Sequence, residues 1–439
     1  MNKSRSLMKE KNTVNYDEMI LADGVVTTFN SLETGLNNNT IVLGATGSGK
    51  SMSVTEPQIM HTFNNSLVVT LSKRKIADQY EILMRSRGYR VEILDLTNPD
   101  ASMVGFDPLE YIKDENDILA IARQIVYTSK YKGVNRDPYW DEAAISMVAA
   151  EIAALVENWV YEKENVFQAP RPTIENLIKL HSELRFFESE RSGFTISSLD
   201  TMFERLQCEN AASYAAQCWR TVKGLASKTV SCINSTVNVG YTQVFSPKVR
   251  EVARKRPLDI EQLGKQKSVL FIITSPVDKS ANMYCNMLYA TIFKLLFEQA
   301  EANEDYRLEV PVHLICDDFA CGSTIPDFGE YISIIRSAGI SVSLLIQSET
   351  QLDQIYGLAD ATTIRNNCDR LIYLGGTDIS TCNSIARRAN VPFDMVYGMP
   401  LEKVYVFERG KKPVCVKRYQ TMKDPVWLMM HDRNAEEVR

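Results

Sequence analysis

Short apolar runs alternate with helical segments in the first quarter of the chain. The runs Thr40–Leu43, Ser66–Leu71 and 89–96 are rich in β-branched residues and are typical of buried strands. Residues 76–87 carry apolar side chains at helical spacing. Strands that alternate with helices predict an α/β fold with a mostly parallel sheet.

The middle of the chain follows another pattern. Between residues 115 and 246, apolar side chains recur at helical spacing, as at Ile118, Ile121 and Ile125, and strand-like runs are sparse. We therefore expect an all-α insertion domain over 115–246. Its most apolar stretch, 147–160, contains acidic side chains and is interpreted as a packed helix, because a bilayer span needs roughly 18 to 20 apolar residues.

Strand-like runs return after this insertion. They lie at 268–274, Val312–Cys316, 341–346 and 370–374, followed by a hairpin pattern made of Lys403–Glu408 and 413–419. The expected organisation is a lead-in over 1–38 with one strand at 25–29, an α/β domain made of 39–114 and 247–425, and a polar tail over 426–439. We expect that tail to be frayed.

The composition is that of an ordinary globular protein. Of the 439 residues, 45% are hydrophobic and 24% are charged, which excludes collagen-like, low-complexity and wholly disordered chains. The formal net charge of -6 excludes a generally basic nucleic-acid-binding coat but allows a local basic groove. The basic runs at 73–75 and 248–256 are candidates for DNA contact or solvated helix faces, and we assign no DNA-contact residue.

Cysteine usage and the first residues indicate a cytoplasmic protein. Nine cysteines are scattered without a Cys-x-x-Cys pair, and only four histidines are present, so a zinc site is not expected. The first dozen residues lack the apolar core of a secretory signal. We expect the protein to reach the inner face of the cell membrane only through a partner.

The segment 44–51 carries the clearest chemical signal. It matches the pattern G-x-x-x-x-G-K-[ST] between a predicted strand and a helical stretch. In such a loop the backbone N–H groups surround phosphates, the lysine contacts the β and γ phosphates, and the hydroxyl binds Mg²⁺. The predicted ATP-binding residues are Gly44, Ala45, Thr46, Gly47, Ser48, Gly49, Lys50 and Ser51.

Such a site also needs an acidic residue at the end of a second strand. The apolar run Val312–Cys316 ends in Asp317 and Asp318. We expect Asp317 to hold Mg²⁺ together with Ser51, and Asp318 to orient or deprotonate the attacking water. The alternative for each carboxylate is a cap on the following turn.

Two further polar residues are candidates on weaker grounds. Gln347 follows the apolar run 341–346 and is interpreted as a sensor of the γ-phosphate, or else as a simple turn amide. Arg336 lies 19 positions after Asp317 and is a candidate finger for the nucleotide of a neighbouring subunit, although most surface arginines have no catalytic role.

With these residues assembled, the chain resembles the coupling ATPases of conjugation and type IV secretion, the TraG/TraD kind, over about residues 40–425. The segments that carry the resemblance are the 44–51 loop, Pro57, 137–141, 315–320, 325–326, 336–340, 347–348, 351–352, 356–357, 364–368 and 377–378. This ordered set is far more specific than the phosphate loop alone.

The resemblance implies a RecA-like P-loop NTPase that assembles as a homo-hexamer. It also implies binding of ATP, Mg²⁺ and DNA, and delivery of a relaxase–DNA complex to a membrane-embedded secretion component. The family's nucleotide-binding lysine falls on Lys50, its Mg²⁺ aspartate on Asp317 and its sensor glutamine on Gln347. Its inter-subunit arginine falls on Arg336, and its all-α domain, thought to meet DNA and substrate proteins, falls on the insertion.

Three departures from the family pattern leave alternatives open. Asp318 stands where the family usually has glutamate, the basic cluster 73–75 stands where an acidic turn is common, and the transmembrane helices of many relatives are not found. The alternatives are a nucleotide-gated adaptor with little hydrolysis, or a related hexameric DNA translocase of chromosome segregation or packaging.

Overall fold

The computed structural model describes residues 17–127, 138–163, 170–188, 195–317, 319 and 325–437. Within these ranges the chain forms two compact units. The first unit takes in the described residues up to Ile93, then Asp259–Pro276, and the described residues from Phe293 onward. The second unit takes in Leu94–Leu258 and Val277–Ile292.

The described strands are named in chain order. They are β1 (Glu18–Ala22), β2 (Val25–Thr28), β3 (Thr40–Leu43), β4 (Ser66–Leu71), β5 (Arg90–Asp95), β6 (Phe186–Glu188), β7 (Thr195–Ser197), β8 (Ser268–Ile273), β9 (Val312–Cys316), β10 (Ile340–Ile346), β11 (Arg370–Tyr373), β12 (Lys403–Glu408) and β13 (Val414–Lys417).

The described helices are also named in chain order. They are α1 (Ser31–Thr34), α2 (Glu56–Met60), α3 (Arg74–Ser86), α4 (Glu115–Tyr127), α5 (Pro138–Lys163), α6 (Ile174–Glu183), α7 (Asp200–Glu209), α8 (Tyr214–Arg220), α9 (Ser227–Val244), α10 (Pro247–Ala253), α11 (Gln262–Lys265), α12 (Asn282–Glu301), α13 (Phe328–Ala338), α14 (Glu349–Asn366), α15 (Ile379–Ala389), α16 (Phe393–Tyr397) and α17 (Pro425–Glu437).

A nine-stranded sheet organises the first unit. Its strand order is β13-β12-β11-β3-β10-β9-β4-β8-β5, and the pairs from β11 through β8 are parallel. Strands β12 and β13 extend one edge as an antiparallel hairpin. All residues of β3, β4, β8, β9 and β10 are buried, which is typical of parallel strands covered on both faces. The predicted α/β fold with a mostly parallel sheet is confirmed.

The two ends of the first unit differ from the expectation. The lead-in contains a complete antiparallel hairpin, β1–β2, where one strand was predicted. Helix α17 occupies most of the segment expected to be a frayed tail. Its start is defined by Asp424, whose Oδ1 accepts the N–H of Val426 at 2.7 Å, and by Pro425 at the first helical position.

The second unit is mostly helical, and α5 lies at its centre. By length and composition, Tyr139–Val160 is apolar enough to cross a membrane, and it is the one such helix in the described residues. It is packed instead against α4, α8 and α9. Its fully buried Glu151 accepts hydrogen bonds from Nδ1 of His181 and the hydroxyl of Tyr241, both at 2.8 Å. Such bonds are needed when a carboxylate is buried.

The helical unit is wider than the predicted insertion of 115–246, and it is not purely helical. Residues 94–114 belong to it because Gly105 donates to the carbonyl of Arg256 at 2.7 Å, and Asp107 accepts the N–H of Ile174 at 2.8 Å. The short hairpin β6–β7 lies within it. The spacing of apolar residues could not reveal these contacts, because 94–114 has little regular structure.

Candidate functional site

The loop 44–51 lies at the carboxyl edge of the sheet. It follows β3, whose neighbours are β10 on one side and β11 on the other. Gly44 donates to the carbonyl of Ile346 at the end of β10, at 3.1 Å, and Ala45 donates to the carbonyl of Gly375, at 2.9 Å. Ligands of open α/β sheets bind outside the carboxyl ends of the strands, so the loop is placed where a ligand is expected.

The glycines of the loop are required by its backbone. Gly47 and Gly49 have φ of 78° and 81°, in the left-handed region that favours glycine. A Cβ at Gly44 would lie 2.4 Å from Oγ of Ser48, which is closer than atoms can approach. Ser48 Oγ is itself buried, and within the described part of the chain it has no hydrogen-bond partner. The conformation of the loop therefore depends on its own glycines. A ligand in the loop could also provide a hydrogen bond to Oγ of Ser48.

Lys50 is folded back over its own loop. Its Nζ donates to the carbonyl of Gly44 at 2.7 Å and to that of Ala45 at 3.4 Å, and only 6% of the residue is exposed. The ammonium group is therefore held within the curl of 44–51. A cation in this position is suited to the phosphates of a bound nucleotide.

Asp317 is brought beside the loop by the parallel strand β9. Its Oδ2 accepts a hydrogen bond from Oγ of Ser51, although the two residues are 266 positions apart in sequence. Oγ1 of Thr55 approaches the same oxygen at 3.5 Å, and the N–H of Asp317 donates to Thr70 in β4 at 3.2 Å. The hydroxyl and the carboxylate are hard oxygen ligands, which suit Mg²⁺.

This donor set is suited to a metal ion shared with a substrate. Among the described residues no group of three or more His, Cys, Asp or Glu is arranged to hold a metal alone. Mg²⁺ usually binds through one or two carboxylates and completes its shell with substrate phosphates and water. Ser51 and Asp317 fit that type of site.

The other predicted residues are distributed differently. Gln347 follows β10 beside Ile346, and its N–H donates to Oε1 of Gln351 at 2.9 Å. It therefore lies at the same edge as the loop. Arg336 lies near the end of α13, at the amino edge of the sheet, and its Nη2 donates to the carbonyl of Gly35 at 2.9 Å. The structure does not bring Arg336 to the loop of its own chain. Asp318 lies outside the described residues.

A buried carboxylate near Asp317 was not anticipated from the sequence. Glu56, in α2, is 8% exposed and accepts a hydrogen bond of 2.6 Å from the hydroxyl of Tyr80. Burial raises the pKa of the Glu56 carboxyl, the bond from Tyr80 lowers it, and the charge of Asp317 raises it further. No local sequence signal identifies this residue, because its burial depends on α3.

Arg418 is a second residue that sequence reasoning missed. It follows β13, and its Nη1 donates to the carbonyl of Ser48 at 2.6 Å. Burial lowers the pKa of its guanidinium, and the charge of Glu402 raises it. The two bonded residues are 370 positions apart, so no motif could connect them.

Comparisons with known proteins identify the family and the relatives of this chain. The family described as Type IV secretory system Conjugative DNA transfer matches residues 1–390. The conjugal transfer protein TraG of Rhizobium radiobacter is 26% identical over 341 residues, which cover 74% of this chain and 47% of that protein. The chain thus spans about half the length of this curated relative.

Solved structures of one coupling protein share the fold. The bacterial conjugative coupling protein TrwBdeltaN70 in complex with sulphate has a TM-score of 0.63 and 16% identity, and the match covers 89% of this chain and 88% of that one. TrwB with the non-hydrolysable ATP analogue ADPNP matches with a TM-score of 0.61, and TrwB with ADP and Mg²⁺ with 0.59, each at 16% identity. These two cover 89% of this chain, and 87% and 88% of theirs. The match of most of the chain to the conjugative DNA transfer family, on a TrwB-like RecA fold, shows that this protein belongs to the coupling proteins of type IV secretory systems.

Proposed function

We propose that this chain binds ATP with Mg²⁺ at the 44–51 loop and hydrolyses it to drive conjugative transfer of DNA. The observation that carries the proposal is the contact between Ser51 and Asp317, which places a hydroxyl and a carboxylate together beside a phosphate-type loop. Support comes from the complexes of TrwB with ADPNP and with ADP and Mg²⁺.

In the proposed mechanism, water attacks the γ-phosphate. Lys50 and the backbone N–H groups of the loop stabilise the charge on the phosphates. Ser51 and Asp317 would hold Mg²⁺, which would supply positive charge to the phosphate oxygens. We assign to Asp318 the positioning of the water and to Gln347 the sensing of the γ-phosphate, since Gln347 lies at the same edge of the sheet.

The proposed partners follow from the family. We infer a homo-hexamer that binds DNA, receives a relaxase–DNA substrate, and acts at the cytoplasmic face of a membrane-embedded secretion component. In this assembly Arg336 would complete the site of a neighbouring subunit. Mixing Arg336→Ala with Lys50→Ala chains tests this role, because mixed rings would contain some complete sites. Recovery of ATPase activity on mixing supports the assignment, and no recovery contradicts it.

The principal experiment is an ATPase measurement with and without DNA, made together with a mass measurement of the assembly. We expect DNA to stimulate hydrolysis under conditions where the chain forms a ring. Hydrolysis that is unchanged in Lys50→Ala would show that the proposed site is not the source of the activity.

A second candidate function is favoured by Asp318. An aspartate side chain is one methylene shorter than the glutamate usual in the family and is less able to reach an attacking water, so the ring would act as a nucleotide-gated adaptor. Single-turnover hydrolysis in the wild type, Asp318→Glu and Asp318→Ala separates the two. Wild-type turnover that Asp318→Ala abolishes eliminates the adaptor, whereas turnover that appears only in Asp318→Glu supports it.

A further inference from the structure

Among the described residues, only one of the three guanidinium nitrogens of Arg418 is hydrogen-bonded. We call the edge formed by the other two, Nε and Nη2, the free edge. Nη1 donates to the carbonyl of Ser48 at 2.6 Å. Nε and Nη2 are buried, and neither has a hydrogen-bond partner among the residues that the structure describes. These two nitrogens form the edge with which an arginine binds a carboxylate or a phosphate through two parallel hydrogen bonds. The free edge is therefore a donor pair beside the 44–51 loop whose hydrogen bonds the described residues leave unmade.

The position of Arg418 is set by several contacts with the rest of the first unit. Its N–H donates to the carbonyl of Glu402 at 2.8 Å. A few residues later, Thr421 Oγ1 donates to the carbonyl of Met52, in the turn that follows the loop. Asp424 Oδ2 contacts Nε2 of His61 at 2.7 Å. The segment after β13 is thus tied to the loop and to the helix behind it.

The free edge is energetically unusual. A buried donor without a partner costs about 1–3 kcal/mol, and two such donors lie on this one side chain. The buried Arg370 of the same sheet shows the normal case, because its nitrogens bond to Glu408, Asn38 and other acceptors. Glu402 acts on Arg418 through its charge but forms no side-chain hydrogen bond with it, and it is exposed. No described carboxylate therefore bonds to this edge.

We propose that Arg418 contacts the nucleotide, with its Nε and Nη2 donating to phosphate oxygens held by the 44–51 loop of the same chain. The inference rests on the proposed function, and it adds a residue that acts in cis, unlike Arg336. The guanidinium neutralises phosphate charge and keeps the loop closed through Ser48. It takes no part in bond formation or cleavage.

Direct binding of ADP and ATP to the 439-residue chain, measured by calorimetry, tests the proposal without relying on hydrolysis. Arg418→Gln is expected to weaken both affinities about ten- to hundredfold, since it removes a charged, two-bond contact. The matched control is Arg409→Gln in the same hairpin. Arg409 pairs with Asp369 at 2.8 Å, and its loss is expected to leave both affinities within twofold.

Arg418→Lys separates nucleotide contact from a purely structural role. Lysine keeps the charge and can still donate to the Ser48 carbonyl, but it lacks the two-nitrogen edge. We expect Arg418→Lys to remain at least fivefold weaker than the wild type. Full affinity in Arg418→Lys would mean that the arginine only supports the loop, and the proposal would be overturned.

The remaining outcomes distinguish this proposal from the proposed function. Absence of nucleotide binding in the wild type would overturn both. Binding that Lys50→Ala weakens but Arg418→Gln does not would overturn the role of Arg418 alone. If Arg418→Gln lowered the mass of the assembly without changing affinity, the free edge would bind a carboxylate of a neighbouring copy, which also overturns the proposal.

Discussion

Nζ of Lys50 donates a hydrogen bond of 2.7 Å to the carbonyl oxygen of Gly44, at the opposite end of the same loop. The lysine thus closes the loop on itself, and its charge is retained among backbone carbonyls rather than in solvent. A bound phosphate would offer the ammonium group an anionic acceptor in place of a neutral one, which adds attraction between opposite charges to the hydrogen bond. The loop is therefore preorganised for an anion.

Replacement of this lysine should have separate effects on binding and on stability. Lys50→Ala is expected to weaken ATP binding about ten- to hundredfold, because it removes a charged contact to the phosphates. Without nucleotide, the free energy of unfolding should fall by about 1.5–3 kcal/mol, the usual contribution of a hydrogen bond that involves a charged group. Calorimetric titration and urea unfolding measure the two effects, and loss of stability alone would contradict a binding role.

Asp317→Asn should change the dependence on Mg²⁺ rather than the fold. An asparagine oxygen can still accept the hydroxyl of Ser51, so the free energy of unfolding should stay within about 1 kcal/mol of the wild type. The neutral amide is a poorer ligand for Mg²⁺ than a carboxylate. We expect the difference in ATP affinity between Mg²⁺ and EDTA to shrink in the variant. An unchanged difference would show that Asp317 does not hold the ion.

The parts of the site that were predictable are those whose cause is local. The 44–51 loop is a contiguous motif, and the conformations of Gly47 and Gly49 depend on those residues themselves. Asp317 could be found because it ends a strongly apolar strand, and the neighbours of β9 in a parallel sheet align its end with the loop. Glu56 and Arg418 could not be found, because each depends on a contact with a distant segment.

The same distinction applies to the fold. Strands that are buried along their whole length, such as β4 and β9, have apolar sequences and were placed within a residue or two. Strand β1 was missed because Glu18–Ala22 has few β-branched residues, so it resembles a helix as much as a strand. Helix α17 was missed because its charged end obscures the cap formed by Asp424 and Pro425.

Arg370 should be one of the least replaceable residues of the first unit. It is fully buried in β11, where its Nε donates to Oε2 of Glu408 at 2.9 Å, and its Nη1 donates to Oδ1 of Asn38 at 3.1 Å. Arg370→Ala leaves Glu408 with Lys411, at 2.6 Å, as its remaining cation and removes the bond to the buried Asn38, and a buried polar group left unsatisfied costs about 1–3 kcal/mol. Urea unfolding measures the loss.

The control for Arg370 is an ion pair in solvent. Lys265 contacts Glu261 at 2.7 Å, and both side chains are about half exposed. Lys265→Ala should change the free energy of unfolding by no more than about 1 kcal/mol. Comparable losses in the two variants would contradict the importance assigned to burial of the Arg370 pair.

His313 should make the first unit less stable in acid. It is fully buried in β9, and its ring nitrogens contact the hydroxyls of Ser341 and Ser343 at 2.7 and 2.9 Å. Burial, together with the charge of Arg370, lowers the pKa of this histidine to about 3. Above pH 6.5 the ring is neutral in both states, so it adds no pH dependence. Below that, the unfolded chain binds a proton that the folded chain excludes, and stability falls by up to about 1.4 kcal/mol per pH unit.

The titration of His313 can be measured directly, because the chain has only four histidines. In NMR spectra its ring signal should not shift between pH 8 and about 4, a range that brackets the ordinary histidine pKa. Urea unfolding of the wild type and His313→Gln between pH 7 and about 4.5 gives the second measurement, since glutamine cannot be protonated there. The variant should be less stable at pH 7 but should lose less stability on acidification, because it has no buried imidazole at position 313 that must stay neutral in the folded state. If the free energy of unfolding fell equally with decreasing pH in the two proteins, His313 would not be the group whose protonation the folded chain prevents.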